Sequence, residues 1–174
     1  MSICDEVAKR STCQRIQTAA LLVENNNVVS MGYNGSAPKA VHCTDYWKNY
    51  CEMRGLDYVD FLASDEFYAR HHEYAVANEH HAEMNCLANA SRRGFAKSAT
   101  MYTTYACCIH CAKQVVACGV GIVVYRHEYS RDTSGLDYLR SHGVVCKKFG
   151  DSHRSAAQPS AKKRRIIRSL KHHK

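Results

Sequence analysis

The sequence predicts an α/β fold built on a layered sheet whose later strands run parallel. Two observations carry that prediction. From His80 onward, short strand-like segments alternate with segments of helical periodicity, the pattern of parallel strands joined by crossover helices. Ahead of them, two apolar runs flank the turn Asn25-Asn26-Asn27, which reads as a hairpin and therefore as an antiparallel pair.

Taken in order, residues up to about Arg15 mix apolar and polar positions at helical spacing and predict an N-terminal helix. Ala19 to Val23 and Val28 to Tyr33 predict the hairpin strands. The second strand ends in Gly32-Tyr33-Asn34-Gly35, residue types that tolerate left-handed backbone. Residues 36–79 are polar and aromatic without clean periodicity, and predict an irregular insert. So long a segment inside a compact domain is usually functional or tied down. Then follow a helix at Ala82 to Arg92, a strand at Thr100 to Thr104, a helix at Ile109 to Cys118 and a strand at Val120 to Tyr125. A helix at Leu136 to His142 and a strand at Val144 to Phe149 complete the prediction. Residues 1–150 form the expected domain and 151–174 a basic tail.

A chain of 174 residues suits one domain with one core, and no apolar run approaches the roughly 20 residues of a membrane span. The start, Met1-Ser2-Ile3-Cys4-Asp5-Glu6, lacks the basic and then apolar stretches of a secretory signal, so a cytoplasmic setting is expected, host cytoplasm if the protein is viral. The ten cysteines cluster with histidines, which favours metal binding in a reducing compartment over a disulfide scaffold. Of the net charge of +8, Lys162, Lys163, Arg164, Arg165, Arg168, Lys171 and Lys174 supply +7, leaving +1 for the body. A nearly neutral body does not read as a polynucleotide-binding surface; only the tail keeps contact with nucleic acid open.

Two segments carry the chemistry. His81-Ala82-Glu83 and Cys107-Cys108-Ile109-His110-Cys111 together offer an imidazole, two thiols and a carboxylate. Three ligands, His81, Cys108 and Cys111, leave the fourth position of a tetrahedral zinc to water, as in catalytic sites. The neighbours His80 and Cys107 stand as alternative ligands, whereas His110 reads as a surface or outer-shell residue. The absence of a second C-x-x-C weighs against a closed, non-catalytic zinc module. H-x-E followed by C-x-x-C is the pattern of zinc nucleobase deaminases, in which the glutamate is the general acid and base and not a ligand. Glu83 takes that role here.

From about Ser11 to Phe149 the chain resembles the deoxycytidylate (dCMP) deaminases, closest to the phage-type members. The elements that carry the resemblance are Ser11-Thr-Cys-Gln-Arg15, Gly32-Tyr-Asn-Gly35, His42-Cys-Thr-Asp45, His81-Ala-Glu-Met-Asn85 and Met101-Tyr-Thr-Thr104. The cysteine loop continuing into Ala112-Lys113, Val123-Val-Tyr125 and Tyr129 complete the set. The resemblance implies a three-layer α/β/α sandwich with a mixed five-stranded sheet, and zinc-dependent hydrolysis of dCMP to dUMP and ammonia, feeding dTMP synthesis. It implies Asn34 at the deoxyribose and Tyr129 against the substrate; Ser11 and Arg15, four residues apart and so placed on one face of the expected N-terminal helix, are the candidates for the 5′-phosphate. A second, structural zinc is implied at Cys13, Cys43, His71 and Glu79, with His72 as the substitute for His71. It further implies a hexamer activated by dCTP and inhibited by dTTP, with magnesium accompanying the triphosphate. Gly32, Tyr33, Gly35 and Arg92 would be regulatory or interface residues. The chain departs from the family where Cys107 replaces a proline and Thr18-Ala19-Ala20 replaces Val-Gly-Ala. The alternative readings are a tRNA or single-stranded DNA deaminase, and a dual dCMP/dCTP deaminase.

Overall fold

Five strands in the order β2-β1-β5-β6-β7 form a mixed sheet in the computed structural model, which describes residues 1–92, 94–95, 98–129 and 132–151. The predicted basic tail lies almost wholly outside the described residues. In chain order the elements are α1 (Ser2–Ala8), β1 (Ala19–Glu24), β2 (Asn27–Tyr33), β3 (Gly35–Ser36), α2 (Cys43–Arg54), α3 (Tyr58–Leu62) and α4 (Asp65–Asn78). They continue as β4 (Glu79–His80), α5 (Ala82–Ser91), β5 (Thr100–Tyr105), α6 (Ile109–Ala117), β6 (Ile122–His127), α7 (Ser134–Ser141) and β7 (Val145–Lys148).

The hairpin is tight: Glu24 pairs with Asn27, and Asn25 and Asn26 sit at φ 48° and 62°, the backbone of a type I′ turn. β1 is antiparallel to β2 and β5, whereas β5, β6 and β7 run parallel, as the alternating pattern required. The main core lies between one sheet face (Ala20, Leu22, Met101, Val123, Tyr125) and helices α5, α6 and α7, which contribute Cys86, Leu87, Val115, Leu136 and Leu139. α1 covers the other face through Cys4 and Ala8 against Ala19 and Leu21, and the Asp5 carboxylate holds Arg126 of β6 at 2.8 Å. Gly32 is needed for close packing: a Cβ there would fall 2.3 Å from Cys86 N and 2.5 Å from Ala82 O, so α5 sits directly on β2.

Two expectations are corrected. The N-terminal helix ends at Ala8, not near Arg15. Residues 11–18 are held instead by non-helical contacts: Ser11 Oγ accepts from Cys13 N, Asn34 Oδ1 accepts from Thr18 N, and Asn34 Nδ2 donates to Ile16 O. The insert is not irregular either, because it contains three helices. Gly55 ends α2 in left-handed backbone at φ 65°. Asp57 and Ser64 cap α3 and α4 by accepting from backbone N–H groups. The insert has its own aromatic core of Trp47, Phe61, Phe67 and Tyr74. It is tied to the N-terminal segment through Tyr58, which donates to Gln14 Oε1, and Gln14, which donates to Thr44.

Phe67 is 1% exposed and packs on both Trp47 and His71. Phe67→Ala should cost about 3–5 kcal/mol in chemical denaturation, the range for emptying an aromatic site in a core. A loss below about 1 kcal/mol would show that the insert does not fold around this cluster.

Candidate metal and active site

The first cluster forms where two loops enter helices. His81 is the N-cap of α5, Cys108 is the N-cap of α6, and Cys111 lies in the first turn of α6. This position favours Ser, Thr, Asp or Asn, yet neither His81 nor Cys108 makes a side-chain capping bond. The three side chains converge instead. His81 Nδ1 lies 3.5 Å from Cys108 Sγ and 3.4 Å from Cys111 Sγ, and all three ligand atoms fall within 4.8 Å of one another. That spread suits one ion held at about 2.0–2.3 Å from each ligand. His80 and Cys107 stand outside the cluster.

The thiols compete for a proton. A hydrogen bond from Cys111 and another with His81 hold Cys108 down at about 3, and the same bond pushes Cys111 up. The bond to Cys108 raises His81. A dication in place of the retained proton lets both sulfurs ionise, so the donor set fits zinc. Glu83, in the first turn of α5, is 8% exposed and lines the same cavity. Burial raises its carboxyl above the ordinary carboxylate range, as suits a group that both takes and returns a proton.

A second cluster gathers Cys13, Cys43, His71 and Glu79, whose ligand atoms also lie within 4.8 Å of one another. His71 Nε2 is 3.4 Å from each of the two sulfurs. Hydrogen bonding from Cys43 holds Cys13 down at about 3 and pushes Cys43 up, while burial, followed by the charge of Cys13, raises Glu79 to about 7. Glu79 Oε1 is buried without a hydrogen-bond partner, a costly state that a cation would relieve. These residues fit a closed metal site. His72 is exposed and outside the cluster.

Both clusters open onto one cavity of about 800 Å³, because Glu79 and His81 flank His80 at the end of β4. Arg15, Asn34 and Tyr129 line it too. Arg15 lies 5.5 Å over the Tyr68 ring, and Tyr129 stacks on Tyr105 at 5.4 Å. Ser11 does not line the cavity; it is 4% exposed, and the helical face expected to carry it with Arg15 does not exist. Asn34 uses its amide to hold residues 16–18, leaving one N–H and one lone pair for a ligand.

Gly32 packs under α5, Tyr33 gives its carbonyl to Asn85, Gly35 pairs with His80, and Arg92 is exposed at the end of α5. None of these four lines the cavity. Sequence reasoning missed Tyr105, Asp132 and Thr103, which do. Thr103 is buried with its hydroxyl unpaired. Its position at the C-terminal end of a parallel strand is where such sheets form ligand sites, a signal that was available.

Comparisons with known proteins bear on the family and the fold. A family model described as the cytidine and deoxycytidylate deaminase zinc-binding region matches residues 1–127. The chain is 32% identical over 157 residues to the deoxycytidylate deaminase of Enterobacteria phage T4, covering 79% of this chain and 81% of that protein. It is 30% identical over 128 residues to that of Mycobacterium phage D29, covering 74% of this chain and 91% of the relative. Among solved structures, the dCMP deaminase of cyanophage S-TIM5 in complex with dCMP and dUMP superposes with a TM-score of 0.63 at 24% identity, over 85% of this chain and 92% of that one. That likeness bears on the fold: the mixed five-stranded sheet flanked by helices is the cytidine deaminase-like architecture. By its motif order, its sheet and its family match, the chain belongs to the cytidine and deoxycytidylate deaminase zinc-binding family.

Proposed function

We propose that the chain hydrolyses dCMP to dUMP and ammonia, with zinc held by His81, Cys108 and Cys111 and with Glu83 carrying the proton. The observation that carries this reading is the meeting, in one cavity, of a three-ligand cluster and a buried carboxyl. The phage relatives named deoxycytidylate deaminase support the substrate. Bound there, zinc supplies a Lewis acid that brings the pKa of water toward neutrality.

The protein's own residues do the rest. Glu83 accepts one proton from the attacking water and passes it to ring nitrogen N3, then takes the second from the hydroxyl gained at C4 and passes it to the departing amine; C4 keeps the oxygen, N3 keeps its hydrogen and ammonia is lost. Asn34 presents its remaining donor and acceptor to the deoxyribose. Tyr129, stacked on Tyr105, offers an aromatic wall to the base. Arg15 supplies positive charge to the 5′-phosphate from the cavity wall.

The second cluster, by its four protein donors, holds a structural zinc in this proposal. Its role is to pin the insert: Cys43 and His71 come from α2 and α4, Cys13 from the N-terminal segment and Glu79 from β4. The proposal also includes a homo-oligomer, with hexamer as the expected form. Val28, Met31 and Tyr33, exposed on edge strand β2, support a covered surface. Activation by dCTP, inhibition by dTTP, magnesium accompanying the triphosphate, supply of dUMP to dTMP synthesis and a cytoplasmic setting complete it by family resemblance. In this reading Gly32 acts by packing and not by touching an effector.

Glu83→Gln should retain zinc and fold but lower dCMP turnover by at least about 1000-fold; near-normal ammonia release would remove Glu83 from the mechanism. Purified protein should hold two zinc ions per chain by metal analysis, and Cys43→Ser only one. A single zinc in the parent protein would eliminate the second site. Arg15→Ala should raise KM for dCMP about tenfold or more, the effect of one charge-assisted contact, while leaving kcat/KM for deoxycytidine, which has no phosphate, at the parent protein's value. Equal losses on both substrates would dissociate Arg15 from the phosphate.

A further inference from the structure

The loop that delivers Cys108 has no proline to preset its backbone; the chain's two prolines are Pro38 and Pro159. It also lacks a side-chain cap at the start of α6. What holds it lies across the core, at the first turn of α7. A Cβ on Gly135 would fall 1.9 Å from the Cys107 carbonyl oxygen and 2.9 Å from the carbonyl carbons of Cys107 and Cys108. Real Cβ atoms do not approach so closely, and the obstructing atoms are backbone, which cannot swing aside as a flexible side chain can. α7 is therefore seated directly on the peptide that joins Cys107 to Cys108.

The seat is anchored on both sides. The next residue, Leu136, is 3% exposed, Leu139 is fully buried, and both share the core cluster with Cys107, Cys111, Ala112 and Val115. Cys107 is itself 3% exposed, and its thiol interacts with the Glu83 carboxyl. One peptide thus touches α7 on one side, leads into a metal ligand on the other, and carries a side chain against the proposed proton carrier.

We propose that Gly135 is a positioning residue for the catalytic centre: the missing side chain lets α7 clamp the Cys107–Cys108 peptide and so sets where Cys108 and Glu83 stand relative to one another. This rests on the zinc centre of the proposed function. An added methyl must push the peptide outward, and because protein cores are densely packed the displacement passes into the loop. A shift of this kind acts on ligand placement and on the alignment of Glu83, so it lowers kcat and speeds metal loss more than it changes KM.

The test compares Gly135→Ala with Leu136→Ala, which weakens the same helix by emptying the core without adding an atom at the loop. Each full-length holoprotein is assayed for dCMP turnover, for zinc release to an excess of a chromogenic chelator, and for the thiolate-to-metal charge-transfer band after cobalt substitution. Gly135→Ala should lower kcat at least tenfold, accelerate one phase of metal release by a similar factor and shift the cobalt band. Leu136→Ala should lower the melting temperature as much or more while leaving the band in place. Identical bands and release rates for Gly135→Ala and the parent protein would overturn the proposal, as would equal band shifts in both variants.

If Gly135→Ala does not accumulate as folded protein, the parent chain provides the reading, because coupling between two sites is reciprocal. Zinc added to metal-stripped protein should slow amide exchange across residues 134–141, and should not do so in Cys108→Ser. Unchanged exchange across α7 in the parent chain would overturn the clamp. Deamination of dCMP by the parent protein tests the proposed function separately.

Discussion

Two sulfur atoms facing one imidazole nitrogen at about 3.5 Å form the contact on which the rest of the site depends. Left alone, such a group is electrostatically frustrated: one thiol ionises only by forcing its neighbour to keep a proton. A dication resolves the conflict. The chain repeats the arrangement in the second cluster, whose Glu79 lies two residues before His81: two sulfurs again face one imidazole nitrogen, and a buried carboxylate oxygen has no partner. The difference is the donor count. Three protein donors leave room for a reacting water, and four do not.

The fold explains why the donors meet. Helix α6 follows β5 of the five-stranded sheet, and α5 follows the short β4, which pairs with β3 just beyond the end of β2; residues at both helix starts, His81, Glu83 and Cys108, line one cavity. The positive end of a helix favours thiolate over thiol and anion over neutral group. The chain forgoes ordinary capping at both starts and places His81 and Cys108 there instead. In the proposed function, stability lost in this way, about 1 kcal/mol for each cap, is regained where a metal joins separate elements.

Much of this was legible in the sequence because the informative signals are local. The spacing of His81 to Glu83 and of Cys108 to Cys111 follows from one helical turn and needs no tertiary information. The parallel strands were legible from their alternation with helices. The insert was not, although its buried residues do recur at helical intervals: Cys43, Trp47 and Cys51 in α2, and Phe67, His71 and Tyr74 in α4. These are cysteines, a histidine and aromatics, types that an apolar periodicity weights poorly. The end of α1 was misplaced because the competing pull on residues 11–18 comes from Asn34 and the Cys13 cluster, distant in sequence. Ser11 followed the same error, since its assignment to the phosphate assumed a helical face shared with Arg15.

The ligand shell of the first cluster can be read directly by zinc-edge X-ray absorption on Cys43→Ser protein loaded with one zinc per chain. The account predicts two sulfur scatterers at about 2.3 Å and two lighter atoms at about 2.0–2.1 Å, one an imidazole nitrogen and the other exchangeable with solvent. Three or four sulfurs, with Cys107 drawn into the shell, would close the coordination sphere and contradict hydrolysis at this centre.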